Sequence, residues 1–284
     1  MARSWAEIDL EAVGHNVRTL RAVASPAGLC AVVKANGYGH GAAAVGRAAL
    51  DAGADWLAVA QVEEAVVLRD AGIEAPLLLL SEPHLDEVAD AVATGARLTV
   101  YSSACIAAIA KSVRAARAPA VALHLKVETG MNRVGAAPGD AVALAKAIAD
   151  LAEVRLEGVC THCPVADEPD NAFTAHQLQR FDAVLADLVG AGIEPGIVHV
   201  ANSAATLCHP QTRRDLVRCG ISVYGIPPAP ALAGMVDLRP ALTLASEVSF
   251  VKRVAAGEAV SYGHRHRFDR DTVVATVPIG YADG

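Results

Sequence analysis

Little in this chain could cross a membrane or grip a nucleic acid. The longest uninterrupted aliphatic run, PLLLLS at 76–81, is far too short to span a bilayer. The opening stretch MARSWAEIDLEAVGHN lacks the apolar core of a secretory signal. Basic residues are in the minority: 24 Lys and Arg stand against 31 Asp and Glu, for a formal net charge of -7. With no long basic run, nucleic acid is not an expected partner. Cysteine is sparse, six in 284 residues, and four of them (Cys30, Cys160, Cys208, Cys219) lie in or beside apolar segments. That usage predicts buried free thiols in a reducing compartment, so a cytoplasmic protein is expected. Lysine is rarer, limited to Lys34, Lys111, Lys126, Lys146 and Lys252.

Apolar residues are abundant, at 53% of the chain, enough for one large domain or for one domain and part of another. Short β-type runs alternate with Ala-rich helical runs. The β-type runs include WAEIDL (5–10), LCAVVK (29–34), DWLAVA (55–60), PLLLL (76–80), RLTVY (97–101), VALHLKVE (121–128), RLEGVCTH (155–162), GIVHVAN (196–202) and GISVYG (220–225). Helical runs such as 41–53, 63–72 and 170–192 lie between them, several closing on a glycine. Strand then helix about every 20–30 residues predicts a parallel sheet with crossover helices, and eight or so units predict a closed (β/α)8 TIM barrel rather than an open doubly wound sheet. The Pro-rich stretch YGIPPAPALAGMVDLRP reads as a linker, and after it the runs at 242–254, 257–263 and 272–284 are β-type with no helix between them. The expected division is a barrel over 1–235 and the start of a β-rich domain over 236–284. That second part has too few strands to close a sandwich or barrel, so a truncated domain is expected.

In such a barrel the reactive groups sit at the C-terminal ends of strands. Lys34 closes one strand, Arg133 follows another, and His162 closes GVCTH. Asn202 and Ser203 end VHVANS, and Arg218 lies in VRCGISVYG. Lys34 stands out, because a lysine on an apolar strand loses hydration, which favours the free amine as a nucleophile toward an aldehyde. The following loop, ANGYGHG, offers glycines that let backbone approach a ligand, and Tyr38, whose hydroxyl can bind phosphate. Backbone N–H groups near Gly220 and Ile221 offer a second place for phosphate oxygens. Each feature has a plainer reading: a snorkelling lysine, a hydrogen-bonded core histidine, a glycine turn before a strand. Cys160 and Cys163 frame His162 as C-x-x-C, but no second pair with zinc spacing exists, so no metal site is expected. HRHR at 264–267 reads as a solvated turn.

Taken together, AVVKANGYGHG, KVETGMNRVG, GVCTHCPVADEP, HVANSAATL, VRCGISVYG, AVSYG and PIGYADG, in that order, resemble the alanine racemases over essentially the whole chain. The resemblance implies pyridoxal 5'-phosphate bound to Lys34 as a Schiff base. It implies that Lys34 is the acid/base on one face of the substrate Cα and Tyr262 on the other, with Tyr262 acting in the partner site of a homodimer. It implies Arg218 facing the pyridine nitrogen, with Tyr38, Asn202, Ser203, Gly220 and Ile221 at the phosphate. His162 would lie beside the ring and bridge to Arg218. Arg133 would contact the cofactor and the substrate carboxylate, and Lys126 would support Arg133, as a carbamate in some members. The implied product is D-alanine for peptidoglycan. The family carries roughly a hundred further residues after GYADG, and it differs at the places of Cys163 and Pro164. The alternatives are a non-catalytic pyridoxal phosphate carrier or a racemase for another small amino acid such as serine.

Overall fold

The computed structural model describes residues 3–281 and 283. The chain forms two compact units, Leu10–Ala241 and Met1–Asp9 with Leu242–Gly284. After β1 (Ser4–Ile8) come the strands of the larger unit: β2 (Gly28–Val32), β3 (Trp56–Val59), β4 (Leu77–Leu79), β5 (Arg97–Val100), β6 (Val121–Lys126), β7 (Val154–Cys160), β8 (Ile197–His199) and β9 (Leu216–Cys219). They form one all-parallel sheet in which each pairs with its sequence neighbour and β9 returns to β2. At the remaining seam, between β8 and β9, Asp215 N–H donates to the Val198 carbonyl at 3.0 Å and Arg218 N–H to that of Ala201 at 2.9 Å. The sheet is thus a nearly closed barrel with helices outside, as the strand-helix spacing predicts.

Its strands are largely apolar on both faces because both faces are covered. Side chains alternate across a strand, so Leu29 and Ala31 pack outward with Leu57, Val59, Leu77 and Leu79 beneath the helices. Cys30, Val32, Ala58, Leu78 and Leu216 fill the barrel interior. Leu57 and Leu77 expose no surface, and truncating either to alanine is expected to cost about 2–5 kcal/mol. The helix Phe173–Gly190 shows the matching period, burying Leu178, Phe181, Val184 and Leu188 on one face. Ser102 caps the helix Ser103–Ala116 by accepting from the Cys105 N–H.

Three details differ from the sequence-based expectation. GISVYG is not a strand: the last barrel strand is β9, just before it, and Ile221–Tyr224 is a 3-10 helical turn. WAEIDL is a strand, but β1 pairs antiparallel with β10 (Leu242–Ser246) instead of entering the barrel. Its central residues are exposed, which a strand of the doubly covered barrel could not be. The Pro-rich stretch is not a free linker. Leu232 is buried, and fully buried Asn16 donates to the Val223 and Arg239 carbonyls at 3.1 and 2.8 Å while accepting from the Arg239 N–H at 2.7 Å.

The smaller unit holds β1 with β10, β11 (Phe250–Val254) with β14 (Thr272–Thr276), and β12 (Ala259–Val260) with β13 (His266–Arg267), each pair antiparallel. Among the described residues, no helix is long and apolar enough to cross a membrane.

Candidate active site

Lys34 stands where β2 ends. The Val33 N–H still bonds the Ala58 carbonyl at 2.8 Å, in register with β3, and then the backbone reverses hand. Ala35, Asn36, Gly37 and Tyr38 all have φ between 50° and 64°, a left-handed turn in which three residues are not glycine. Each non-glycine residue there costs roughly 1–2 kcal/mol. Local bonds hold it: Gly37 N–H to the Val33 carbonyl (2.8 Å), Gly41 N–H to that of Asn36 (2.9 Å), and Ala42 N–H to the Asn36 side chain (3.0 Å). From outside, the Glu64 carboxylate accepts from the Ala35 N–H, and from those of Ala60 and Gln61 at 2.8 and 3.1 Å. The turn sets the Lys34 amine 5.9 Å from the Tyr38 ring centre.

Both side chains face a cavity of about 570 Å³ at the carboxyl ends of the strands, lined also by Lys126, Arg133, His162, Asn202, Ser203, Arg218, Gly220 and Ile221. Every barrel residue assigned a role toward cofactor or substrate therefore lines one cavity.

At one end the donors converge. Ser203 Oγ accepts from the Gly220 N–H at 2.9 Å, and a Cβ on Gly220 would stand 2.5 Å from the Tyr38 hydroxyl. Only a residue without a side chain leaves that space, so glycine is required by close approach. Two hydroxyls and a backbone turn thus form a cradle suited to a phosphate.

Arg218 is buried. Its Nη1 donates to His199 Nδ1 at 2.6 Å, and its Nη2 donates to the Thr161 and Val200 carbonyls at 2.7 and 3.1 Å and to His162 Nδ1 at 3.3 Å. The Nε–H has no protein acceptor among the described residues, which suits a neutral ring nitrogen. Burial, reinforced by the charge of Arg218, holds His162 as a neutral ring, its pKa lowered to about 3. Burial likewise lowers Lys126, whose amine reaches the Leu80 carbonyl at 3.4 Å.

The other calls separate. Arg133 is exposed at the cavity mouth in a loop organised by Glu128, which accepts from the Gly130 and Arg133 N–H groups at 2.6 and 3.3 Å. Asn202 uses both ends of its amide on protein, accepting from the Ala205 N–H at 3.0 Å and donating to the Cys163 carbonyl at 2.9 Å. It caps the helix Ser203–Cys208 and ties down the loop after His162. Burial pushes the Cys163 thiol up to about 11 and raises that of Cys160, leaving both as inert thiols. Tyr262 belongs to the smaller unit, on an exposed turn after β12. Among the described residues, no three His, Cys, Asp or Glu are grouped to hold a metal.

Pyridoxal phosphate fits this donor set: an amine for the aldehyde, a cradle for the phosphate and an arginine N–H for the ring nitrogen. Sequence reasoning missed His199, His124 and Glu64. A lone histidine in an apolar strand reads as core, and Glu64 reads as an ordinary first-turn acid.

Two family models match the chain: the alanine racemase N-terminal domain over residues 8–228 and the alanine racemase C-terminal domain over 241–284. The alanine racemase of Symbiobacterium thermophilum is 46% identical over 284 residues, all of this chain and 75% of that protein. That of Thermobifida fusca is 44% identical, over 98% of this chain and 75% of that protein. The crystal structure of alanine racemase from D-cycloserine-producing Streptomyces lavendulae aligns with a TM-score of 0.93 at 42% identity, covering all of this chain and 75% of that one. The chain thus spans about three quarters of the length of these relatives, and it belongs to the alanine racemase family.

Proposed function

We infer that the chain carries out the racemisation of its family through two proton carriers, Lys34 and Tyr262. It is an alanine racemase, a pyridoxal phosphate enzyme that interconverts L- and D-alanine. When bound, the cofactor supplies the electron sink that acidifies the Cα–H of the amino acid. The amine of Lys34 anchors the cofactor's aldehyde end and then takes or returns the proton on one face of Cα. The Tyr262 hydroxyl does the same on the opposite face, since one base alone returns the proton to the face it left.

Tyr38, Ser203 and the backbone at Gly220 and Ile221 bind the phosphate, while Asn202 positions the neighbouring loop. Arg218 donates to the ring nitrogen and, because a guanidinium does not give up its proton, leaves that nitrogen unprotonated. His162 braces Arg218. Arg133 pairs with the substrate carboxylate, and Lys126 steadies that wall. The barrel is the cofactor-binding part and the β-rich segment brings Tyr262. Tyr262 acts in the site of a second copy, so the working form is a cytoplasmic homodimer that supplies D-alanine for peptidoglycan.

The observation that carries this is the single cavity that gathers Lys34, the Tyr38–Ser203–Gly220 cradle and Arg218. The test is D-alanine formation from L-alanine with added pyridoxal phosphate. Lys34→Ala and Tyr262→Phe are each expected to abolish it. Mixed in equal amounts, the two variants are expected to recover roughly a quarter of native activity, because half the dimers are mixed and each mixed dimer keeps one intact site. No recovery on mixing would place Tyr262 in its own subunit's site instead.

A further inference from the structure

Below the cavity, the barrel interior carries a line of polar groups that the reaction as described does not use. Arg218 Nη1 is 2.6 Å from His199 Nδ1, His199 Nε2 is 2.8 Å from His124 Nδ1, and His124 Nε2 is 3.2 Å from a Glu157 carboxylate oxygen. His199 and His124 have no exposed surface.

The chemistry of the two ends dictates the direction of every bond. A guanidinium only donates, so His199 Nδ1 accepts and its proton lies on Nε2. His199 Nε2–H then donates to His124 Nδ1, which puts the second proton on His124 Nε2. A carboxylate only accepts, and His124 Nε2–H points at one. Moving the proton of either neutral ring to its other nitrogen, or protonating either ring, would set two N–H groups against each other. Burial and the Arg218 charge hold His199 neutral, and burial does the same for His124. Burial alone would raise the Glu157 carboxyl, but hydrogen bonds from His124 and Arg155 and the charge of Arg97 outweigh it and hold it at about 2.

The fold builds this arrangement deliberately. Between β6 and β7 the register runs Leu123 with Leu156 and then His124 with Gly158, so Glu157 is the extra residue of a β-bulge. Bulges re-aim a side chain, and this one brings the carboxylate to His124. A Cβ on Gly158 would lie 2.7 Å from His124 Nδ1, so glycine leaves the ring its place. Arg97 Nε and Arg155 Nη2 hold Glu157 at 3.0 and 2.8 Å, and Trp56 stands edge-on to His124.

We propose that Glu157 and His124 are positioning residues for Arg218. Through His199 they form a one-way hydrogen-bond line that anchors the guanidinium to the part-buried Glu157 carboxylate. The carboxylate strengthens each acceptor above it, since linked hydrogen bonds polarise one another. Arg218 is thereby held in one orientation toward the cavity. The effect on the cofactor rests on the reading of Arg218 as the partner of the ring nitrogen; the line itself does not.

The test is therefore in two parts. In the native chain without cofactor, the ring nitrogen NMR signals of His124 and His199 are expected to show two neutral Nε2–H rings near neutral pH. A Nδ1–H or doubly protonated ring at either position overturns the proposal, whatever the chain binds. The second part uses Glu157→Gln, which keeps the size and an accepting oxygen but removes the charge. With pyridoxal phosphate loaded, kcat is expected to fall about three- to tenfold with KM for alanine within about twofold, and the cofactor absorbance band to shift. Unchanged kcat and absorbance in Glu157→Gln overturn the claim that the charge reaches Arg218. Absence of racemisation in the native chain, with the two Nε2–H rings in place, would strike the catalytic reading and leave the line standing.

Discussion

Replacing Gly220 with alanine tests the cradle with one methyl group. The new Cβ would sit 2.5 Å from the Tyr38 hydroxyl and 3.2 Å from its ring carbon, where ordinary contact begins near 3.4 Å. Something must move by most of an ångström. Gly220 itself is tied, its N–H bonded to Ser203 Oγ at 2.9 Å, so Tyr38 yields. Its ring packs on Tyr224 at 4.9 Å and springs from the left-handed turn, so the hydroxyl leaves the cradle rather than adjusting within it. A hydrogen bond to a charged group is worth about 1.5–3 kcal/mol, and each 1.4 kcal/mol is tenfold in affinity. Gly220→Ala is therefore expected to weaken pyridoxal phosphate about 10- to 150-fold, read by an absorbance titration of the cofactor-free chain. Tyr38→Phe, which removes the same hydroxyl without adding bulk, is expected to lose a similar amount. The double variant should lose little more than either. Binding by Gly220→Ala within twofold of native would refute the placement of the phosphate.

Acid should destabilise the chain before most carboxylates titrate. His124, His162 and His199 are held neutral, with His162 near 3 against an ordinary 6.5, so the unfolded state binds protons that the folded state refuses. Stability from these groups is complete above the unfolded value and falls with pH below it, by up to about 1.4 kcal/mol per pH unit for each ring. Glu157, held at about 2 against 4.5, adds a further loss between those values. Urea midpoints at about pH 7.5 and about pH 5.5 check this, and equal midpoints would contradict it. Asn202→Ala should cost about 1–2 kcal/mol through the lost cap and the freed Cys163 carbonyl, while cofactor affinity falls less than in Gly220→Ala. An affinity loss as large as that of Gly220→Ala would make Asn202 a direct ligand.

The barrel was legible because its strands are short aliphatic runs at regular spacing, and strand ends are where such a fold keeps its chemistry. That reasoning predicts Lys34, His162, Ser203 and Arg218 on one rim, and all four line the same cavity. The left-handed turn after Lys34 was not legible, because Ala35 and Tyr38 favour other conformations; Glu64, far along the chain, helps stabilise it. Nor was the interior line. His124 sits in VALHLK, a run whose apolar neighbours mark a buried strand but give no sign of which polar groups meet inside. The bulge that brings Glu157 in exists only once β6 and β7 are paired. WAEIDL reads as a strand, and Ser4–Ile8 is one, yet its partner β10 lies more than two hundred residues away and no local pattern names it.

The most direct test of the central claim is chemical. The chain loaded with pyridoxal phosphate would be reduced with borohydride, digested, and the pyridoxyl group located by mass spectrometry. With only five lysines in the chain, the result is unambiguous. The expected site is Lys34 alone, with no label elsewhere at comparable yield. A label on Lys126, which lines the same cavity, or no label at all, would contradict the account of Lys34 as the cofactor's anchor.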